Sequence, residues 1–200
     1  MADILFGQSY YLRFDEKLWH AQQPYPPLGT LYAAAYMRQE GYHVALFDAM
    51  LAGSTQEWQH ALTTHQPKYA VIFEDNFNYL SKMSLLRMRE AAFEMIAYAK
   101  AQNCIIIVAG ADMSDHPQSY LKQGADYVLL GEGEETLAEL VNYLEAADVV
   151  GNPINEGDLY QIRSLAYLSN EAVVRTPVRP VLQTLDEMPF PAWDLVDRDK

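Results

Sequence analysis

The residues best placed for chemistry in this chain are small and hydrogen-bonding residues that stand just beyond short apolar runs. Asp126-Tyr-Val-Leu-Leu-Gly-Glu-Gly-Glu134 passes from an apolar strand pattern through a Gly-Glu-Gly-Glu turn into an amphipathic helix pattern. Gly131 and Gly133 let the backbone turn sharply and approach whatever lies above the strand end, and Glu132 adds a carboxylate between them. Glu74-Asp75-Asn76 follows the apolar run Tyr69 to Phe73, and Gly110-Ala111 follows the run Cys104 to Ala109. The segment from Gly7 to Pro27 carries Tyr10, Tyr11, Phe14, Trp19, His20 and Tyr25. An aromatic loop of about twenty residues inside a compact domain is uncommon and often functional. Such a broad, partly apolar rim suits a large, flat, amide-rich ligand better than a bare phosphate.

Other chemistries lack their residues. A dinucleotide site needs Gly-x-Gly-x-x-Gly after the first strand, and Gly7-Gln-Ser-Tyr-Tyr-Leu12 has one glycine. There is no Walker phosphate loop and no Gly-x-Ser-x-Gly elbow. His20, His43, His60, His65 and His116 show no metal-ligand spacing, and only His20 and His116 fall on loops at the proposed ligand edge. Asp75 stands where a phospho-acceptor domain places its aspartate, but the first strand ends without an acidic pair for magnesium. The single cysteine, Cys104, excludes an internal disulfide, a Cys-ligated iron–sulfur cluster and a Cys-rich zinc site within this chain. It reads as a small buried hydrophobe.

The elements that must hold these residues alternate regularly. Strand patterns at Ile4–Phe6, His43–Phe47, Tyr69–Phe73, Cys104–Ala109 and Asp126–Leu130 are separated by helical patterns. The predicted helices are Leu28–Glu40, a segment from Ser54 or Thr55 to before Pro67, Ser84–Gln102, Pro117–Gln123 and Glu135–Glu145. The expectation is an α/β fold, a doubly wound five-stranded parallel sheet over residues 1–150. Over residues 151–200 a small β-hairpin, Leu165–Leu168 with Ala172–Arg175, and a Pro- and aromatic-rich linker follow. In an open sheet of this kind ligands bind outside the carboxyl ends of the strands, which gathers the loops above on one edge.

The 200 residues are 50% hydrophobic and 20% charged, enough for a full core and a soluble globular domain. Fourteen basic residues against 27 acidic ones give a net charge of −13, which argues against nucleic-acid binding. No run approaches a membrane span and the chain starts directly on a strand pattern, so a cytoplasmic protein with no membrane partner is expected.

Taken in order, Pro26-Pro-Leu-Gly29, Gly41-Tyr-His-Val-Ala-Leu-Phe-Asp48, Val108-Ala-Gly-Ala111, Gly124 to Glu134 and Leu185-Asp-Glu-Met-Pro-Phe-Pro-Ala-Trp-Asp194 closely resemble the N-terminal half of cobalamin-dependent radical S-adenosylmethionine enzymes. The likeness spans nearly the whole chain and implies a flavodoxin-like, Rossmann-like cobalamin-binding module. It departs from methionine-synthase-type domains, which carry Asp-x-His-x-x-Gly after the first strand. Around His20 the Asp and Gly positions are Leu18 and Gln23, so the resemblance implies base-off cobalamin without a histidine ligand. The radical enzymes continue after the Pro-Phe-Pro-Ala-Trp segment with Cys-x-x-x-Cys-x-x-Cys, which is absent here. An excised domain is therefore expected, with Lys200 not the natural end and no radical chemistry of its own. The [4Fe-4S] cluster and S-adenosylmethionine would belong to a C-terminal radical domain of the same polypeptide, acting in methyl transfer or a related radical transformation.

The family pattern, carried over position by position, implies cobalamin contacts at Pro27, Leu28, Gly29, Asp75, Asn76, Gly110, Ala111, Gly131, Glu132 and Gly133. Trp19, His20 or Tyr25 would cover the lower face of cobalt. The alternative is a domain of the same fold that has lost the cofactor and docks substrate or a partner domain through its aromatic loop.

Overall fold

The computed structural model describes residues 2–74 and 82–197. β1 (Ile4–Gly7) leads through a 3-10 turn into α1 (Glu16–Ala21), then α2 (Leu28–Gln39), β2 (Val44–Phe47), α3 (Gln56–His65) and β3 (Tyr69–Phe73). The chain continues through α4 (Lys82–Ala101), β4 (Ile105–Ala109), α5 (Ala111–Asp115), α6 (Pro117–Gln123), β5 (Tyr127–Leu129) and α7 (Glu134–Val150). α8 (Glu156–Leu159), β6 (Leu165–Ser169) and β7 (Ala172–Arg175) complete it. The sheet order is β2-β1-β3-β4-β5-β6-β7. The first five strands pair in parallel, as the alternation of patterns requires.

β3, with every residue buried, shows why the strands read as unbroken apolar runs: helices cover both faces of a parallel sheet. On one face Leu5, Ile72, Ile106 and Val108 pack with Trp58 and Leu62 of α3 and Met95 and Ile96 of α4. On the other, Ile4, Phe6, Val71 and Ile107 pack with Ala33, Ala34 and Met37 of α2 and Leu137, Leu140 and Leu144 of α7. Each fully buried Ile, Leu or Phe contributes about 1.5–3 kcal/mol relative to exposure.

The expected five-stranded sheet is in fact seven-stranded. β6 pairs antiparallel with β5, matching Tyr127 with Tyr167 and Leu129 with Leu165, and β7 pairs antiparallel with β6. The apolar half of β6 explains this, since Leu165, Ala166 and Tyr167 are buried and cover the edge that β5 would otherwise expose. Three short helices also interrupt segments that read as loops. α1 forms inside the aromatic loop because Asp15 caps it, accepting the Leu18 amide at 3.0 Å. α5 begins directly after Gly110, and Asn155 caps α8 by accepting the Gly157 amide at 2.8 Å. Thr55 precedes α3 without capping it, because its hydroxyl donates to Glu94 at 2.5 Å instead. α7 runs five residues past Glu145, with Ala147 still packed inward, and stops at Gly151.

Candidate functional site at the carboxyl edge of the sheet

The carboxyl ends of β1, β3, β4 and β5 emerge side by side, and short hydrogen bonds tie their loops together. Glu74, just past β3, receives the Ser9 amide at 2.7 Å and donates its own amide to Ala109 at 2.8 Å. Gly110 leaves β4 with φ +153, and a Cβ there would stand 2.7 Å from Cβ of Glu74, so only glycine fits beside that side chain. In the turn after β5, the Gly131 amide donates to Ser114 Oγ of α5 at 3.1 Å. Gly131 has open space around it, whereas a Cβ on Gly133 would meet the Phe73 ring at 2.9 Å. One glycine thus exposes backbone, and the other lets α7 start close against β3. Thr30 fixes α2 to the same strand end, its hydroxyl donating to the Phe73 carbonyl at 2.6 Å.

Between the start of α2 and the start of α7 lies a cavity of about 320 Å³, lined by Tyr32, Glu132, Glu134, Glu135 and, from the C-terminal segment, Arg179, Leu182, Leu185 and Met188. Burial raises the Glu134 carboxyl above the ordinary range, with nearby Glu132 adding to the effect and the amides of Glu134 and Gly133 opposing it. Arg179 answers this negative charge, bonding Glu135 at 2.9 Å and also Glu139. Of the contacts expected from the sequence only Glu132 lines this cavity; Tyr32 and the C-terminal wall were missed. Tyr32 stands one helical turn beyond Leu28, a signal that was available; Arg179 and Leu182 meet the turn only through the fold.

The loop after β1 is packed rather than open. Tyr10 and Tyr11 are buried, with Tyr10 donating to Asp15 at 2.8 Å and its ring 6.5 Å from that of Tyr25. The Tyr11 hydroxyl is buried with no hydrogen-bond partner among the described residues, and burial, followed by the nearby Glu74, raises its pKa. Asp48, at the end of β2, is pushed up to about 6 by burial, against hydrogen bonds from the Met50 amide and Gln8. Trp19 and His20 ride on the exposed side of α1, where Arg13 lies 5.1 Å over the Trp19 ring.

Leu28 is exposed, Gly29 partly so and Pro27 buried, while Gly131 and Glu132 are exposed and Gly110 and Gly133 buried with Ala111 between. These residues share the one edge. His116 follows α5 and lies 3.9 Å from Asp112. Asp75 and Asn76 lie outside the described residues. No cluster of metal-ligating side chains occurs among the described residues, and no helix there is long and apolar enough to cross a membrane.

A profile of the B12 binding domain matches residues 18–141, which takes in α2 through the start of α7 and every loop of this edge after the first. The chain belongs to the B12-binding domain family. Among curated proteins it is 26% identical over 187 residues to an uncharacterized methyltransferase, PH0819, of Pyrococcus horikoshii, covering 88% of this chain and 35% of that protein. It is 27% identical over 182 residues to the anaerobic magnesium-protoporphyrin IX monomethyl ester cyclase of Synechocystis sp., covering 88% of this chain and 32% of the other. The B12-binding chain therefore spans about a third of the length of these relatives. Its fold is shared with the cobalamin-dependent S-adenosylmethionine radical enzyme OxsB, solved with aqua-cobalamin and S-adenosylmethionine bound: TM-score 0.71, 16% identity, 98% of this chain and 24% of that one. It is also shared with the radical S-adenosylmethionine methyltransferase TsrM of Kitasatospora setae, solved with cobalamin and a [4Fe-4S] cluster: TM-score 0.64, 18% identity, 90% of this chain and 32% of the other.

Proposed function

We propose that this B12-binding domain holds cobalamin over the carboxyl edge of β1, β3, β4 and β5, with the nucleotide arm of the cofactor in the cavity between α2 and α7. The observation that carries this reading is that cavity, which opens beside the Gly131-Glu-Gly133 turn. At about 320 Å³ it is at the small end of ligand pockets, fit for a nucleotide but not for a corrin ring. The ring would rest on the open edge. There Gly131 offers backbone without a side chain, and Leu28 presents an exposed apolar side chain beside the partly exposed Gly29. Pro27, Gly110, Ala111, Glu132 and Gly133 would complete the contacts, with Asp75 and Asn76 from the loop after β3.

A nucleotide arm in the cavity keeps its base away from cobalt, so the bound form would be base-off, and no histidine is needed below the metal. Trp19, His20 or Tyr25 would shield that lower face. When bound, cobalamin supplies a cobalt centre able to take up and pass on a methyl group. The domain's own residues would bind it, orient it and keep water from it. The fold neighbours and the longer relatives support placing this domain in a radical S-adenosylmethionine enzyme. In that reading residues 151–200 form the hairpin and linker that lead to the radical domain, which would hold the cluster and S-adenosylmethionine.

Titration of the purified chain with hydroxocobalamin and with methylcobalamin, followed by visible absorption, tests the reading. Saturable uptake with a base-off spectrum is expected. Gly131→Asn, a residue that tolerates the φ of +74 found there, puts a side chain where the ring would rest and should weaken uptake about tenfold or more, a thermal melt checking that the fold is kept. Failure of both cobalamins to saturate the chain would turn the edge into a docking surface without cofactor.

A further inference from the structure

The wall of the cavity formed by the C-terminal segment differs from the wall formed by the helices. Tyr32 and Glu134 stand on α2 and α7, whereas Leu182, Leu185 and Met188 hang from a segment without regular structure apart from a 3-10 turn at Leu185–Glu187. That segment buries little apolar surface, since Val178, Val181 and Leu185 are 78%, 63% and 71% exposed. Polar contacts attach it. Ser164 N donates to the Pro177 carbonyl at 2.8 Å, Arg179 N to Ser164 Oγ at 2.8 Å, and Leu182 N to Glu132 Oε2 at 2.8 Å. The Arg179 side chain, only 14% exposed, reaches Glu135 at 2.9 Å, Thr136 Oγ1 at 3.2 Å and Glu139. Arg179 is the one cation among the described residues lining the cavity, whose other charged side chains are Glu132, Glu134 and Glu135 on a largely apolar wall.

An element with few apolar contacts and a handful of polar attachments is the kind that opens locally while the rest of the fold stays closed. We infer that residues 177–188 are a strap across the mouth of the α2–α7 cavity, and that Arg179 is the clasp whose grip on Glu135 and Glu139 retains the bound cofactor. What the strap retains rests on the cobalamin reading above. That the strap opens does not. Arg179 in this account is a positioning residue: it acts on the cofactor by holding Leu182, Leu185 and Met188 in place.

The test compares the wild-type chain with Arg179→Met, Arg179→Lys and Glu139→Gln. Glu135 and Glu139 are 35% and 50% exposed, so each tolerates loss of its partner with the fold intact, which a thermal melt checks. Hydrogen exchange of the ligand-free chain is measured first. Peptides covering residues 177–188 should exchange faster in Arg179→Met, less so in Glu139→Gln, with β1 to β5 unchanged. Release of hydroxocobalamin is measured next, by chase with excess free ligand. It should be about tenfold faster from Arg179→Met, because loss of a clustered charge contact appears in the off-rate. Added salt should speed release from the wild type and leave Arg179→Met unchanged. Arg179→Lys, with one donor centre in place of a fork, should fall between them. Unchanged exchange over 177–188, or unchanged release, overturns the clasp. If the wild type takes up no cobalamin, the cofactor reading fails by itself, and exchange alone decides whether Arg179 holds the strap.

Discussion

The two faces of the sheet are covered differently. On the α3–α4 face the packing residues are large: Trp58, Leu62, Met95 and Ile96 are all fully buried, and Trp58 donates to the Met95 carbonyl at 3.1 Å. On the α2–α7 face, α2 turns inward Leu31 and Met37 together with Ala33, Ala34 and Ala35, and α7 turns inward Leu137 and Leu140, so the strands are covered here too, but the space above their ends is left as the cavity. Both faces hold the sheet; only the second also leaves room at the carboxyl edge. The pocket thus opens at the rim above a face whose lower part is closely packed, so residues that line the pocket can be altered with less loss of packing than residues beneath it.

The largest expected effect lies on the α3–α4 face. Trp58→Ala leaves a void the size of an indole among rigid neighbours and should cost about 3–5 kcal/mol in denaturant unfolding. An equal loss from truncating cavity-lining residues would erase the comparison. The next effect concerns the tie among α4, α5 and α6 on that face. Burial alone would raise the Asp112 carboxyl, but hydrogen bonds from Arg89 and Tyr120 outweigh it and hold it below the usual range. A lowered carboxyl favours the fold above its unfolded value near pH 4, and that contribution is lost as pH falls through the folded value. Asp112→Asn should cost about 2 kcal/mol at neutral pH and nothing extra in acid.

Asp48 has the opposite sign. Its folded value of about 6 lies above the unfolded one, so the fold takes up a proton between these values and loses stability as pH rises from about 4 through 6. Asp48→Asn keeps an acceptor for the Met50 amide and should stabilise the protein by about 1 kcal/mol at pH 7.5. The gain should vanish below pH 4. Absence of this pH-dependent difference would show that burial does not penalise the carboxylate. The smallest stability effect is expected on the open face: Leu182→Ala, on the strap, should change unfolding by about 0.5 kcal/mol or less. It should nonetheless loosen cobalamin binding, so that binding and stability separate on this face and not on the other.

Much of this arrangement was legible in the residues. The five apolar runs fixed the parallel strands, because a strand buried on both faces has no polar positions to interrupt it. The Gly131-Glu-Gly133 turn and Gly110 marked the carboxyl edge of the sheet for a backbone reason that sequence states directly. The union of the hairpin with the sheet was not legible, since β6 pairs with β5 between residues 36 or more positions apart and nothing local specifies that edge. Nor was the strap. Its prolines and exposed apolar residues read as a linker, and the partners of Arg179 stand 44 and 40 positions away. α1 was hidden by its aromatic content, although Asp15 with Glu16 in the first turn carries an ordinary helix-start signal.

The most direct test of the central claim is a calorimetric comparison of hydroxocobalamin with dicyanocobinamide, a corrinoid that lacks the nucleotide arm. The account predicts saturable binding of cobalamin and at least about a hundredfold weaker binding of cobinamide, the loss expected when the arm no longer fills the α2–α7 cavity. Equal affinity for the two, or binding of neither, would contradict it.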